Sequence, residues 1–142
     1  MEKGSLPAQA LGTQSPREAL MTFPPRPNQA LGRSGEDIAC RYLRGKKYEI
    51  VARAFRMLRG EIDIIARDGE TLVFVEVKAR TDESHGRPEE SVTPGKQRQI
   101  RRIAQGYLLE HPAPGVDCRF DVIAILFRDA GDYRLEHFID AF

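Results

Sequence analysis

The chain has 142 residues, 41% of them hydrophobic and none tryptophan, which suits one modest domain with a core of ordinary size and makes a second domain unexpected. A formal net charge of +1 excludes a uniformly basic protein, so any polyanionic partner would have to be met by local clusters of cations. Two cysteines, Cys40 and Cys118, have neither metal-ligand spacing nor a secretory context, and both are expected to be reduced and structural.

Residues 1–30 are rich in Pro, Ala, Gln, Gly and Ser and carry no sustained periodicity, as in Phe23-Pro24-Pro25-Arg26-Pro27, so they are expected to form a flexible extension before a domain over 31–142. The extension lacks a charged start followed by an unbroken apolar core. Neither a signal peptide nor a membrane segment is indicated, and a cytoplasmic location is the expectation. A helix is predicted over 35–45, where Ile38, Ala39, Tyr42 and Leu43 recur at helical spacing and Gly45 ends the run. Three strands follow, at about 48–57, 61–66 and 71–79, joined by turns tight enough for an antiparallel meander. A polar loop over 80–93, containing His85, Gly86 and Pro88, leads to Thr93-Pro94, a helix start with proline at its tolerated first position. In that second helix Ile100, Ile103, Ala104, Tyr107 and Leu108 form one apolar stripe, which is core. Strands at 119–127 and 133–139 complete the order α-β-β-β-α-β-β. A crossover helix lets the fourth strand run parallel to its neighbour, giving an α/β (α+β) mixed sheet flanked by helices.

The third strand contains the feature with the greatest chemical weight. Leu72 to Val77 has apolar side chains on both alternating faces, the pattern of a strand covered on both sides, yet Glu76 and Lys78 are set into it. An unpaired ion in such a place costs roughly several kcal/mol, so the carboxylate must be paired, metal-bound or near the open end of the strand. The preceding strand ends in Asp68-Gly69, a strong two-residue hairpin signal. If Arg67 pairs with Glu70 across it, Ile65 faces Leu72, Asp63 faces Phe74 and Glu61 faces Glu76. Glu61, Asp63, Glu76 and Lys78 then project from one face of two adjacent strands. Directly opposed carboxylates repel unless a cation, water or a basic group lies between them. Hard divalent cations such as Mg2+ or Mn2+ take oxygen ligands, which makes Asp63 and Glu76 the candidate metal ligands and Lys78 the residue that positions water or offsets charge on phosphorus. The ordinary alternative is a solvated, salt-bridged patch at a sheet edge.

Gly60-Glu61-Ile62-Asp63 followed by Phe74-Val75-Glu76-Val77-Lys78 resembles the Asp…Glu-x-Lys signature of the restriction-endonuclease-like nucleases, the PD-(D/E)XK group. From Gly35 to about Phe127 the chain is similar to the bacterial UPF0102 (YraN) family, related in fold to archaeal Holliday junction resolvases. The residues that carry the likeness are Gly35-Glu36-Asp37-Ile38-Ala39, Gly60 to Asp63, Phe74 to Lys78, Lys96, and Arg119-Phe120-Asp121-Val122. The resemblance implies a metal-dependent endonuclease architecture acting on DNA, with branched or junction DNA as the expected substrate, and by analogy a two-fold homodimer. It also implies Glu36 as a third catalytic acid. From the residues alone, Ser34-Gly35-Glu36-Asp37 reads equally as a capped helix start with acids in its first turn.

Cations gather as Arg41, Arg44, Lys46 and Lys47, as Arg53, Arg56 and Arg59, and as Lys96, Arg98, Arg101 and Arg102. The last set, on the polar face of the second helix, is the expected nucleic-acid surface. Asp121 reads as a strand residue facing Arg119 or a backbone amide and is not taken as a ligand. His85, His111 and His137 say little. A non-catalytic nucleic-acid-binding module with the same fold is the alternative function.

Overall fold

The computed structural model describes residues 27–81, 92–128 and 131–142, with side chains from Ser34 onward. The expected extension, apart from residues 27–30, and the loop bearing His85 lie outside the described residues. The chain divides into two units, Met1–Ala30 and Leu31–Phe142, and the sheet belongs to the second.

The elements are α1 (Pro27–Gly45), β1 (Glu49–Met57), β2 (Gly60–Asp68), β3 (Thr71–Arg80), α2 (Pro94–Glu110), β4 (Asp117–Phe127) and β5 (Tyr133–Phe138), the order expected from the sequence. The five strands lie in chain order in one sheet. All neighbours are antiparallel except β3 and β4, which α2 connects as a crossover. The sheet is therefore mixed, and α2 begins as its residues dictate, with the Thr93 hydroxyl accepting the Lys96 N–H at 3.2 Å and Pro94 in the first turn.

A helix covers each face. Ile38, Ala39, Cys40 and Leu43 of α1 pack against Ile64, Ala66, Val73, Val75, Ile123 and Ile125. Ile100, Ile103, Ala104 and Tyr107 of α2 pack against Ile62, Ile65, Leu72, Phe74, Phe120 and Val122. The apolar residues of β3 thus alternate between the two cores, as a strand buried on both sides requires. Cys40 is one of these packing residues. Cys118 is not, because it lies exposed near the start of β4, and both cysteines are free.

Two expectations are corrected. Helix α1 starts eight residues before Gly35, so Ser34 is not its cap and Glu36 is not in its first turn. The turn between β2 and β3 is Gly69-Glu70, not Asp68-Gly69: Asp68 pairs with Thr71 and Ile65 with Phe74. Gly69 has φ +62 while Glu70 is not left-handed, so the glycine occupies the first central position of a type II′ turn. The register therefore moves by two residues, which keeps each side chain on its face but sets Asp63 level with Glu76 instead of Phe74.

Candidate active site

Beyond Val75 the sheet forks. The β2–β3 ladder ends at Ile64 and Val75, after which Gly60, Glu61 and Ile62 pair with β1 and Glu76 to Arg80 pair with β4. In the fork the Asp63 carboxylate accepts the Val77 N–H at 2.7 Å, taking the place of a strand carbonyl. The local sequence bends accordingly. Ile62 and Ile65, three residues apart, both enter the α2-side core, so the alternation of β2 slips around Asp63. On β1, Ala54 takes φ +51, a sparsely populated conformation for a residue with a Cβ.

This geometry alters the expected single acidic face. Glu76 continues the phase of Leu72 and Phe74, on the α2 side, where Lys78 Nζ lies 3.5 Å and Lys96 Nζ 3.9 Å from its Oε2. Glu61 and Asp63 gather instead with Glu36 of α1, their carboxylate oxygens lying within 4.8 Å of one another. Glu36 reaches this point because α1 passes close over β3 at Gly35, where a Cβ would meet the Ala79 Cβ at 3.0 Å. The acids and lysines therefore come from both sides of the sheet and converge at its open end.

The electrostatics match that crowding. Burial, and then the charge of Glu76, push the Asp63 carboxyl up to about 8, against the Val77 N–H that favours its ionised form. Glu36 is also raised, by burial first, while Arg53 beside it pulls the other way. Arg53 Nη2 lies 3.6 Å from Glu36 Oε1 and 2.8 Å from Asp37 Oδ1. Arg56 Nε donates to Glu61 Oε1 at 3.1 Å. Glu76 is 7% exposed and is held by its two lysines. Three carboxylates this close offer the oxygen donors that a hard divalent cation takes, and the raised Asp63 marks a buried acid crowded by another carboxylate.

The model of the uncharacterised protein family UPF0102 matches residues 35–125, which include Glu36, Glu61, Asp63, Glu76, Lys78 and Lys96. The chain is 54% identical to a UPF0102 protein of Geotalea uraniireducens over 115 residues, 81% of this chain and 91% of the relative. The chain belongs to the UPF0102 family. A UPF0102 protein of Chlorobium limicola is also 54% identical, over 80% of this chain and 92% of its own length. One from Pelotomaculum thermopropionicum is 49% identical over 79% and 94% respectively.

Within this UPF0102 chain the four cations expected on α2 have separate fates. Lys96 joins the acidic site. The Arg101 guanidinium lies over the rings of Phe120, at 4.5 Å, and Phe142, at 5.7 Å, where it makes a cation–π contact midway along the helix. Arg98 and Arg102 are exposed and form no ion pair among the described residues.

Sequence reasoning placed Glu61 on the acidic face but named only Asp63 and Glu76 as ligands, yet Glu61 belongs to the carboxylate triplet. The signal was its period-two relation to Asp63. It also passed over His137, which is part of a buried network near the C-terminus. Asp121, fully buried, accepts Arg119 Nε at 2.9 Å and the Asp140 N–H at 3.0 Å, and its Oδ2 lies 2.8 Å from His137 Nε2. Burial would raise the Asp121 carboxyl, but the hydrogen bonds of His137 and Arg119 hold it below the usual carboxylate range. Arg119 also donates to Asp68 and Tyr48, and His137 Nδ1 lies 3.1 Å from the Tyr42 hydroxyl. This cluster ties α1, β2, β4 and β5 together. It agrees with the reading of Asp121 as a structural partner of Arg119 and of a backbone amide. Among the described residues no helix is long and apolar enough to cross a membrane.

Proposed function

We propose that this protein is a divalent-metal-dependent nuclease that hydrolyses the phosphodiester backbone of DNA, with branched or junction DNA as its substrate. The observation that carries the reading is the forked sheet end, where three carboxylates lie within 4.8 Å of one another beside two lysines. The donor set suits Mg2+ or Mn2+. Asp63, Glu36 and Glu61, with Glu76 beside Asp63, are the residues that would hold the ion. When bound it supplies Lewis-acid polarisation of the phosphoryl oxygen and a more acidic water.

The chain's own residues do the rest. Lys78, whose Nζ is 3.5 Å from Glu76, orients the attacking water and offsets charge growing on the phosphoryl oxygens. Lys96 adds a second cation from α2. The water oxygen bonds to phosphorus as the bond from phosphorus to the leaving sugar oxygen breaks. The water proton passes to Glu76, and the leaving oxygen takes a proton from solvent. The likeness to restriction-endonuclease-like junction resolvases is what favours branched DNA and a two-fold homodimer, and a cytoplasmic location belongs to the same reading.

The test is cleavage of labelled duplex and four-way-junction DNA with Mg2+ or Mn2+. Activity is expected in the wild type and lost in Asp63→Ala and Lys78→Ala, both still folded by circular dichroism. Unchanged cleavage in both variants removes the mechanism. A second reading, a non-catalytic nucleic-acid-binding module, draws support from the ion pairs that already partner three of the acids: Arg53 with Glu36, Arg56 with Glu61, and the lysines with Glu76. Salt-sensitive binding without cleavage across metals and substrates decides for it.

A further inference from the structure

Beside the acidic site a cleft of about 610 Å3 runs between the β1–β2 turn and the first turns of α2, lined by Arg56, Arg59, Glu61, Lys96 and Gln99 over Gly60. Its shape has a local cause. Gly60 lies so close to α2 that a Cβ there would meet Ile103 Cδ1 at 2.6 Å and Gln99 Nε2 at 2.8 Å. The missing side chain seats the turn on the helix and leaves the polar groups around the opening. Leu58 and Arg59, the two central residues of that turn, have φ +52 and +60, as a type I′ hairpin demands. The turn sets Arg59 at the lip, where it forms no ion pair among the described residues.

We propose that this cleft is a phosphodiester-binding subsite, which holds the backbone phosphate adjacent to the one attacked at the acidic end. The inference rests on the nuclease reading, because Glu61 at the inner end of the cleft belongs to the carboxylate triplet. Three cations line the opening against one carboxylate. Arg56 and Arg59 each present a planar fork that matches two phosphate oxygens. The Arg56 side chain is 81% exposed and, among the described residues, bonded only at Nε to Glu61, so its terminal nitrogens face a ligand. The outer face of α2 is the weaker candidate, since Arg101 is already stacked on Phe120 and Phe142.

The subsite is tested on the full chain in chelator, so that no turnover intervenes. Fluorescein-labelled duplex and four-way-junction DNA are titrated across a salt series by anisotropy. The double variant Arg56→Gln/Arg59→Gln is compared with Arg44→Gln/Lys47→Gln, which removes the same charge at the opposite end of the sheet. Loss of the contacts to this one phosphate makes the slope of log affinity against log salt shallower by about 1 for the cleft variant. The control pair leaves the slope near that of the wild type. Equal slopes in the two double variants overturn the subsite and leave the nuclease reading standing. Absence of salt-dependent binding to either probe by the wild type also overturns the subsite, while the nuclease reading is decided separately by cleavage with Mg2+ or Mn2+.

Discussion

Replacing Asp63 with asparagine should make the metal-free protein more stable. The carboxyl is displaced from 3.8 to about 8, chiefly by burial and then by Glu76, so the folded state holds a proton that the unfolded chain releases. Stability therefore falls as pH rises from about 4 to about 8 and levels off above that, because in this window the native state binds more protons than the unfolded one. At about 1.36 kcal/mol per unit, the whole displacement corresponds to on the order of 5 kcal/mol. Relaxation and water penetration around the ionised carboxylate reduce this, which leaves on the order of 2 to 3 kcal/mol for Asp63 itself. An asparagine oxygen still accepts the Val77 N–H, so the fork keeps its bond. At roughly 4 °C per kcal/mol for a domain of this size, Asp63→Asn raises Tm at pH 9 by on the order of 10 °C, with much less difference at pH 4. The assay is thermal unfolding by circular dichroism in chelator across that range. Mn2+ should then raise the wild-type Tm and leave the variant's unmoved. A variant less stable than the wild type at pH 9 would mean that the ionised carboxylate is welcome where it sits, and the argument from crowded charge would fail.

Two further changes probe how the site is positioned. Asp121→Ala should cost about 3 kcal/mol in urea unfolding at neutral pH, because Arg119 and His137 lose their buried partner. Burial opposes but does not overcome the bonds that hold the Asp121 carboxyl low, so its contribution is present above about pH 4 and is lost as pH falls further; an unchanged urea midpoint at pH 7 would count against the network. Gly35→Val should lower stability by about 1 to 3 kcal/mol through overpacking on Ala79 and Val77, and should weaken Mn2+ binding measured by calorimetry as α1 and Glu36 move outward. Unaltered metal affinity in a folded Gly35→Val protein would detach Glu36 from the site.

The element order and the two-faced burial of β3 were legible because hydrophobic period and turn residues report directly on local geometry. Glu76 and Lys78 stood out for the same reason, as charges within an apolar run. The failures were of a different kind. Gly69 is left-handed in both a type I′ turn over Asp68-Gly69 and a type II′ turn over Gly69-Glu70, and only the backbone at Asp68, which is not left-handed, decides between them, so the register was misplaced by two residues. The cap at Ser34 competed with a proline eight residues before Gly35 that starts the helix equally well. The Asp121 network joins residues up to 95 apart in the chain, and no local pattern announces such a partnership.

The fork itself follows from where positive charge is and is not available. Had β2 and β3 stayed paired past Val75, Asp63 and Glu76 would have stood side by side, with Cβ atoms about 5 Å apart and no water between. Parting the strands lets each acid find a separate partner. Glu76 takes Lys78 and Lys96, Glu36 takes Arg53, and Glu61 takes Arg56. Asp63 is left with a backbone N–H and no cation among the described residues. Burial and the charge of Glu76 therefore raise its carboxyl with no cation to offset them, and the fold stays tolerable without concentrating opposite charge on the central acid. A cation entering the fork would therefore meet its strongest attraction at Asp63, where the chain's own charges leave the deficit uncorrected. The same partners explain why binding an ion and binding a phosphate would support each other: drawing Glu61 toward a cation releases the Nε of Arg56 toward the cleft.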